Sequence, residues 1–363
     1  MIHLAYPYVT DTMRQAAFDT LGSRFIGQGP KVDQFEREFQ SVLKTDTPVA
    51  VGSGTDALHL AYLLAGIGEG DEVLVPNFTC TATNMPLLWL KAKLVFVDVD
   101  PGTLNISVDD IKKKITKDTK AIVTVDYAGQ PCDYDKLKEF GVTIIDDAAH
   151  APGASYRGKA IGSIADYTTF SFQAIKHITT GDGGIVTVPK RQVHLAKLLR
   201  WFGIDRERKL ENMSHWQGDI EHVGYKYQMT DIAASLGIES LKLLNQQIKI
   251  RRLMVQKYRY GLKDLEEIRL LEDKPYCDSA YWLMTVLAED RDNLRDFLIK
   301  REIESSPFHY RNDKYSIFSQ YKNDCPNMDA VENKILCLPL HMKLELEDID
   351  TVIQAIHDYY RKN

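Results

Sequence analysis

A series of short, almost uninterrupted apolar runs constrains this chain more than any other feature: Val49–Val51, Glu72–Pro76, Lys93–Asp100, Ala121–Asp126 and Val142–Asp147. A strand that is apolar on both faces must be covered on both faces, which is the signature of a parallel sheet layered between helices. The intervening segments supply those helices. Val32–Leu43 places Val32, Phe35, Phe39 and Val42 or Leu43 on one face, the run Ala57, Leu58, Leu60, Ala61, Leu63 and Leu64 reads as a helix buried on much of its surface, and Asp133–Phe140 continues the alternation. Ligands of such sheets sit beyond the strand C-termini. A length of 363 residues exceeds one ordinary domain. A large domain over 1–240 and a smaller α/β domain over 241–363 are therefore expected. Met229–Leu244 and Gln246–Leu265 read as consecutive helices leading from one to the other, and Lys190–Trp201 as a helix before them. In the second domain, Tyr281–Leu287 reads as a strand, Arg291–Arg301 as a helix, and Ile349, Val352, Ile353 and Ile356 as the buried face of a last helix.

Composition narrows the function classes. The formal net charge is −6, with charges spread along the chain, which argues against nucleic acid as a partner. The five cysteines are scattered and lack CxxC spacing, so neither a disulfide framework nor a zinc knuckle is indicated. No apolar run approaches the roughly 18 residues of a membrane span, and a cytoplasmic location is expected.

Three stretches carry chemistry. In Phe170–Gly184 a single lysine, Lys176, lies between a β-prone run and the glycine-rich turn Thr180-Gly181-Asp182-Gly183-Gly184, so it sits on a tight connection between strands. It is either a Schiff-base residue or a solvated surface lysine beside a hairpin turn. In Gly52–Leu58 the strand-glycine-helix order puts Gly54, Thr55 and Asp56 at a helix N-terminus, where free N–H groups and the dipole favour a phosphate; a simple N-cap by Ser53 or Thr55 reads equally well. Asp146-Asp147-Ala148-Ala149-His150 follows a strand and fits a strand-end cap, a metal site built from Asp146, Asp147 and His150, or a charged partner for a cofactor.

Taken together, these stretches resemble the DegT/DnrJ/EryC1/StrS family of pyridoxal-phosphate-dependent sugar aminotransferases, and matching landmarks occur in order from about Phe25 to His341. The resemblance extends to Gly27-Gln28-Gly29-Pro30, to Pro76–Thr83, to Gly224-Tyr225-Lys226-Tyr227-Gln228-Met229 and to Ser306–Arg311. It implies a type I, aspartate-aminotransferase-like α/β fold, with a mostly parallel seven-stranded sheet in the large domain and a smaller C-terminal α/β domain. It implies a homodimer with active sites at the interface. By the same resemblance Lys176 binds pyridoxal 5′-phosphate covalently and moves protons, and pyridoxamine 5′-phosphate is the intermediate form. Asp147 faces the ring nitrogen, His150 lies near the phenolic oxygen, Gly54, Thr55, Asp56 and Ser171 surround the phosphate, and His309 and Tyr310 lie near the substrate. Lys226 takes the place of a family asparagine that reaches the other subunit's phosphate. Related dehydrating enzymes carry histidine at the lysine position, so Lys176 implies transamination.

The chain departs from the family pattern at two places. Cys80 stands where a ring-stacking aromatic is common, leaving either Phe78 to substitute or the ring more loosely held, and no histidine beside Cys80 in the sequence marks it as a nucleophile. Gln228 replaces a common arginine. The implied reaction moves an amino group from glutamate to a nucleotide-linked keto-deoxysugar. The family's commonest use points to a 4-keto-6-deoxyhexose, giving a 4-amino-4,6-dideoxy sugar for surface polysaccharide or glycan synthesis. The alternatives are 3-amination of a 3-keto sugar and a cofactor-binding protein without turnover. The polar stretch 204–223 lies near the sugar nucleotide in the family.

Overall fold

The computed structural model describes residues 1–205 and 219–362. Most of the stretch 204–223 singled out above lies outside the described residues. In chain order, helices α1 (Asp11–Leu21) and α2 (Pro30–Leu43) precede strand β1 (Thr47–Val51), helix α3 (Gly54–Leu64), β2 (Glu72–Pro76), α4 (Thr81–Trp89), β3 (Lys93–Val97), α5 (Val108–Lys114), β4 (Thr119–Val125), α6 (Tyr134–Lys138) and β5 (Thr143–Asp147). A short ribbon, β6 (Ser155–Tyr156) and β7 (Lys159–Ala160), leads to β8 (Tyr167–Ser171), β9 (Gly184–Val188) and α7 (Val193–Leu199). Helix α8 (Asp231–Leu262) then carries the chain into β10 (Ile268–Leu270), β11 (Cys277–Asp278), β12 (Met284–Ala288), α9 (Arg291–Ile299), α10 (Pro326–Val331), β13 (Ile335–Leu338) and α11 (Leu346–Lys362).

The large sheet has seven strands in the order β1-β9-β8-β5-β4-β2-β3. All neighbours run parallel except β9, which is antiparallel to both β1 and β8. The mostly parallel seven-stranded sheet expected from the sequence is thus present, and β2, β4 and β9 are buried at almost every residue. Helix α2 seals one face. Phe35, Phe39, Phe170 and Phe172 are fully buried and meet edge to face at 5.1–6.1 Å. Each such ring contributes about 1.5–3 kcal/mol on leaving water, with smaller increments from the ring pairs. A second sheet, β10-β12-β13, is antiparallel and is covered by α9, α11 and the second half of α8.

The two helices expected over 229–265 are one 32-residue helix. Asn245 lacks the means to break it, since asparagine costs only about 0.7 kcal/mol against alanine in a helix interior. The buried face also runs on through Leu241, Leu244, Ile248, Arg251, Val255, Tyr258 and Leu262. Along this face the helix changes partners: up to Ile248 it packs into the core under the large sheet, and from Met254 into the core of the small one. The strand expected from Tyr281 begins instead at Met284, because Tyr281 takes a positive φ of 49° and turns the chain. The chain start belongs to the small sheet's neighbourhood. Ile2 bridges to Ile303, and the Leu4 N–H donates to Glu304 Oε2 at 3.0 Å. Among the described residues no helix is long and apolar enough to cross a membrane.

Candidate active site

The C-terminal ends of β5 and β8 and the N-termini of α3 and α4 converge on a cleft of about 340 Å³, floored by Asp147 and Lys176 and walled on another side by Trp282, Phe308 and His309. Asp147 is the last residue of β5 and only 6% exposed. Its Oδ2 accepts from Thr83 Oγ1 at 2.7 Å, its Oδ1 accepts from the Ala149 N–H at 3.2 Å, and Thr83 in turn bonds the Thr79 hydroxyl at 2.7 Å. Burial raises the Asp147 pKa, while Thr83, the Ala149 N–H and the Lys176 charge pull it back. Strand alternation turns the neighbouring Asp146 to the other face. There its Oδ1 accepts from Thr124 Oγ1 at 3.0 Å. That separation dissolves the metal site considered for Asp146, Asp147 and His150, and no group of three or more His, Cys, Asp or Glu suited to a metal occurs among the described residues.

Lys176 follows β8 in a turn closed by its N–H to the Gln173 carbonyl at 2.9 Å. Burial lowers its pKa to about 7, against the opposing pull of Asp147 and Cys80. A solvated surface lysine would show no such displacement. Across the cleft, Ser53 Oγ caps α3 by accepting the Asp56 N–H at 3.0 Å, so Ser53 takes the capping role and Gly54 and Thr55 remain on the cleft wall with Ser171. Glycine is required at Gly54: a Cβ there would lie 2.8 Å from the Ser171 Cβ. The glycine-rich turn serves the same end, since a Cβ on Gly184 would lie 2.4 Å from the Ser53 carbonyl oxygen.

His150 is buried, with its ring stacked on Trp282 at 4.0 Å and its Nε2 3.4 Å from His309 Nε2. Burial, and then the Lys176 charge, push its pKa well down, so it is neutral, and its Nδ1 has no partner within the protein. Cys80 is exposed at the N-terminus of α4 and lines the cleft. Phe78 does not substitute for the missing aromatic. It is buried against Tyr127 at 5.2 Å, outside the cleft lining, and the aromatic wall is formed by Trp282, Phe308 and the two histidines.

Three sequence-derived candidates lie apart from this cluster. Asp56 is not among the lining residues; its half-buried carboxyl, raised to about 6 chiefly by burial, feels the charge of Asp182. Tyr310 is 63% exposed and lines a neighbouring cleft of about 440 Å³ that shares His309 with the first. Lys226 is exposed, pairs with Trp201 in an isolated bridge, and holds its Nζ 3.9 Å from the Trp201 ring centroid, away from its own chain's cleft. Conversely, Trp282 belongs to the site without any sequence signal that marks it, and Thr83, the last residue of the recognised stretch Pro76–Thr83, acts through Asp147, a role the sequence did not assign.

The description of the DegT/DnrJ/EryC1/StrS aminotransferase family matches residues 7–357. The chain belongs to this family. The GDP-perosamine synthase of Vibrio cholerae is 31% identical to it over 372 residues, covering 99% of both chains. The dTDP-4-dehydro-2,3,6-trideoxy-D-glucose 4-aminotransferase of Saccharopolyspora spinosa is 31% identical, covering 100% of this chain and 96% of that one. Among solved structures, the candidate sugar aminotransferase Spr1654 of Streptococcus pneumoniae in its PMP form superposes with a TM-score of 0.94 at 29% identity, covering all of both chains, and its PLP form with 0.92 at 30%. This member of the family is a pyridoxal-phosphate-dependent sugar aminotransferase. Its residues fit the cofactor: a lysine whose amine is poised near neutrality, a buried carboxylate on the cleft floor, a His150 Nδ1 without a partner among the described residues, and the α3 N-terminus at Gly54 and Thr55 lining the cleft beside Ser171.

Proposed function

We propose that the enzyme transfers an amino group from glutamate to the keto carbon of a nucleotide-linked 4-keto-6-deoxyhexose, giving a 4-amino-4,6-dideoxy sugar for a surface polysaccharide or glycan. The observation that carries the transaminase chemistry is the Lys176 amine in the cleft, its pKa lowered to about 7, facing the carboxylate that ends β5. The sugar class follows the relatives named for GDP-perosamine and for 4-amination of a dTDP-4-dehydro sugar. The cleft shared through His309 offers further room for a substrate.

When bound, the cofactor supplies an electron sink for the carbanion formed on either substrate. Lys176 would hold it covalently, and its freed amine would take the α-proton and return it. Asp147 would hold the ring nitrogen in its protonated form, because a buried carboxylate favours the charged form of its partner. The neutral His150 would serve the phenolic oxygen, and His309 and Tyr310 would face the sugar. Gly54, Thr55 and Ser171 seat the phosphate with N–H and hydroxyl donors.

Lys176 is the one lysine or arginine among the described residues lining the cleft, so the dianionic phosphate lacks a cation of its own. Lys226 of a second copy fills that need in a homodimer whose sites lie at the interface. Residues 1–240 form the cofactor-binding unit, apart from Ile2 and Leu4, which dock beside the smaller sheet, and 241–363 the smaller unit, apart from the turns of α8 up to Ile248, which stay in the large core; the enzyme works in the cytoplasm on soluble nucleotide sugars.

The test is the product. Incubation with pyridoxal phosphate, glutamate and dTDP- or GDP-linked 4-keto-6-deoxyhexose gives a 4-amino sugar by mass spectrometry and NMR, with 2-oxoglutarate released in equal amount. Lys176→Ala abolishes turnover while still binding pyridoxamine phosphate. An amine found at C3, or turnover surviving in the alanine variant, overturns the reading.

A further inference from the structure

The segment that carries Trp282 is held from several sides. The Ala280 and Trp282 N–H groups donate to the carbonyls of Gly129 and Ala128 at 3.0 and 2.7 Å. His177 Nε2 meets the Ala280 carbonyl at 2.9 Å, and Arg251 Nη1, from α8, donates to the Trp282 carbonyl at 3.2 Å. The indole Nε1–H donates to the Ile175 carbonyl at 3.0 Å, one residue before Lys176. Trp282 is thereby fixed and only 4% exposed. The Lys176 Nζ lies 3.3 Å from the centroid of its ring. His150 is stacked at 4.0 Å and nearly parallel to the same ring, leaving no room for a nitrogen between them, so histidine and amine occupy opposite faces. Lys176 is half-buried at the cleft, and the indole face against which its amine rests supplies negative potential to the ammonium form.

We propose that Trp282 is the seat of the Lys176 side chain whenever that side chain is not bonded to the cofactor: its indole face holds the released amine in the cleft and stabilises the cation that amine becomes on taking up a proton. Trp282 is a positioning residue acting through Lys176. The inference rests on the reading of Lys176 as the cofactor lysine. Other groups facing the amine are Asp147 at the end of β5, Cys80 at the start of α4, His150 and His177, and His309 from the small domain. The three histidines have pKa values lowered below the usual range and stay neutral through the range tested, so they add no titration of their own.

The test uses the full-length protein freed of cofactor. Only the neutral amine attacks the aldehyde, so the rate at which the lysine-bound chromophore forms with pyridoxal phosphate rises with pH and inflects at the pKa of the free Lys176 amine. With the face removed in Trp282→Leu, the inflection moves down by about one pH unit, and Trp282→Phe, which keeps a weaker face, falls between. Fluorinated tryptophans incorporated at all four tryptophans keep the shape and weaken the face, and they lower the inflection stepwise with fluorine number. An unmoved inflection in the fluorinated protein, or coincident profiles for the phenylalanine and leucine variants, reduces Trp282 to packing and overturns the proposal. A wild-type protein that forms no chromophore overturns the parent reading of Lys176 instead.

Discussion

Thr83→Val tests the site through a residue that touches Asp147 alone among its acidic groups. Valine keeps the shape and removes the hydroxyl that donates to Asp147 Oδ2 at 2.7 Å and bonds Thr79 at 2.7 Å. A hydrogen bond to a charged group is worth about 1.5–3 kcal/mol. Losing it raises the Asp147 pKa further. Burial already holds it above the ordinary 3.8. For an acid whose folded-state pKa lies above its unfolded value, the folding penalty is absent below the unfolded pKa and grows as pH rises from there to the folded one. The variant and the wild type therefore differ least in melting temperature at the acid end and diverge as pH rises, while the pH above which the carboxylate form supports cofactor binding moves upward in the variant. Thermal melts and cofactor titrations from pH 4 to 9 read both quantities, and Thr83→Ser restores them. Wild-type affinity and parallel melting curves in the valine variant refute the reasoning.

Gly54→Ala leaves the fold intact but drives a Cβ to within 2.8 Å of Ser171, pushing the α3 N-terminus off the phosphate; cofactor binding weakens at least tenfold by fluorescence titration, whereas free pyridoxal, lacking the phosphate, binds as before. If Lys226 acts across a homodimer interface, mixing inactive Lys176→Ala with inactive Lys226→Met protomers restores up to about a quarter of wild-type activity, since half the dimers gain one native site. No recovery on mixing places Lys226 outside the site.

The parallel sheet was legible because strands buried on both faces leave unbroken apolar runs, and the structure places β2, β4 and β5 within a few residues of the expected bounds. The errors arose where local pattern and tertiary context part. Tyr281-Trp282-Leu283 has the composition of a strand, yet the Trp282 N–H donates to the Ala128 carbonyl and the Tyr281 N–H to Ser279 Oγ, and pairing starts only at Met284. In the site, the stretches around Lys176, Asp147 and Gly54 could be recognised because each ties its chemistry to a backbone shape within a few residues. Trp282 could not, and Thr83, though it ends the recognised stretch Pro76–Thr83, could not be given its role, since their partners lie 107 and 64 residues away in sequence. Asp56 shows the converse: it belongs to a recognisable motif, but its side chain is not part of the cleft wall.

The bridge from Ile2 to Ile303 also sets an order of events during synthesis. At 5–20 residues per second, the roughly 300 residues between them take about 15–60 s to emerge. The core under the large sheet, drawn from Val32 to Ala280, can close before the segment around Ile303 exists. Ile2 and Leu4 must wait without their partners through that interval, so they are among the last residues to dock.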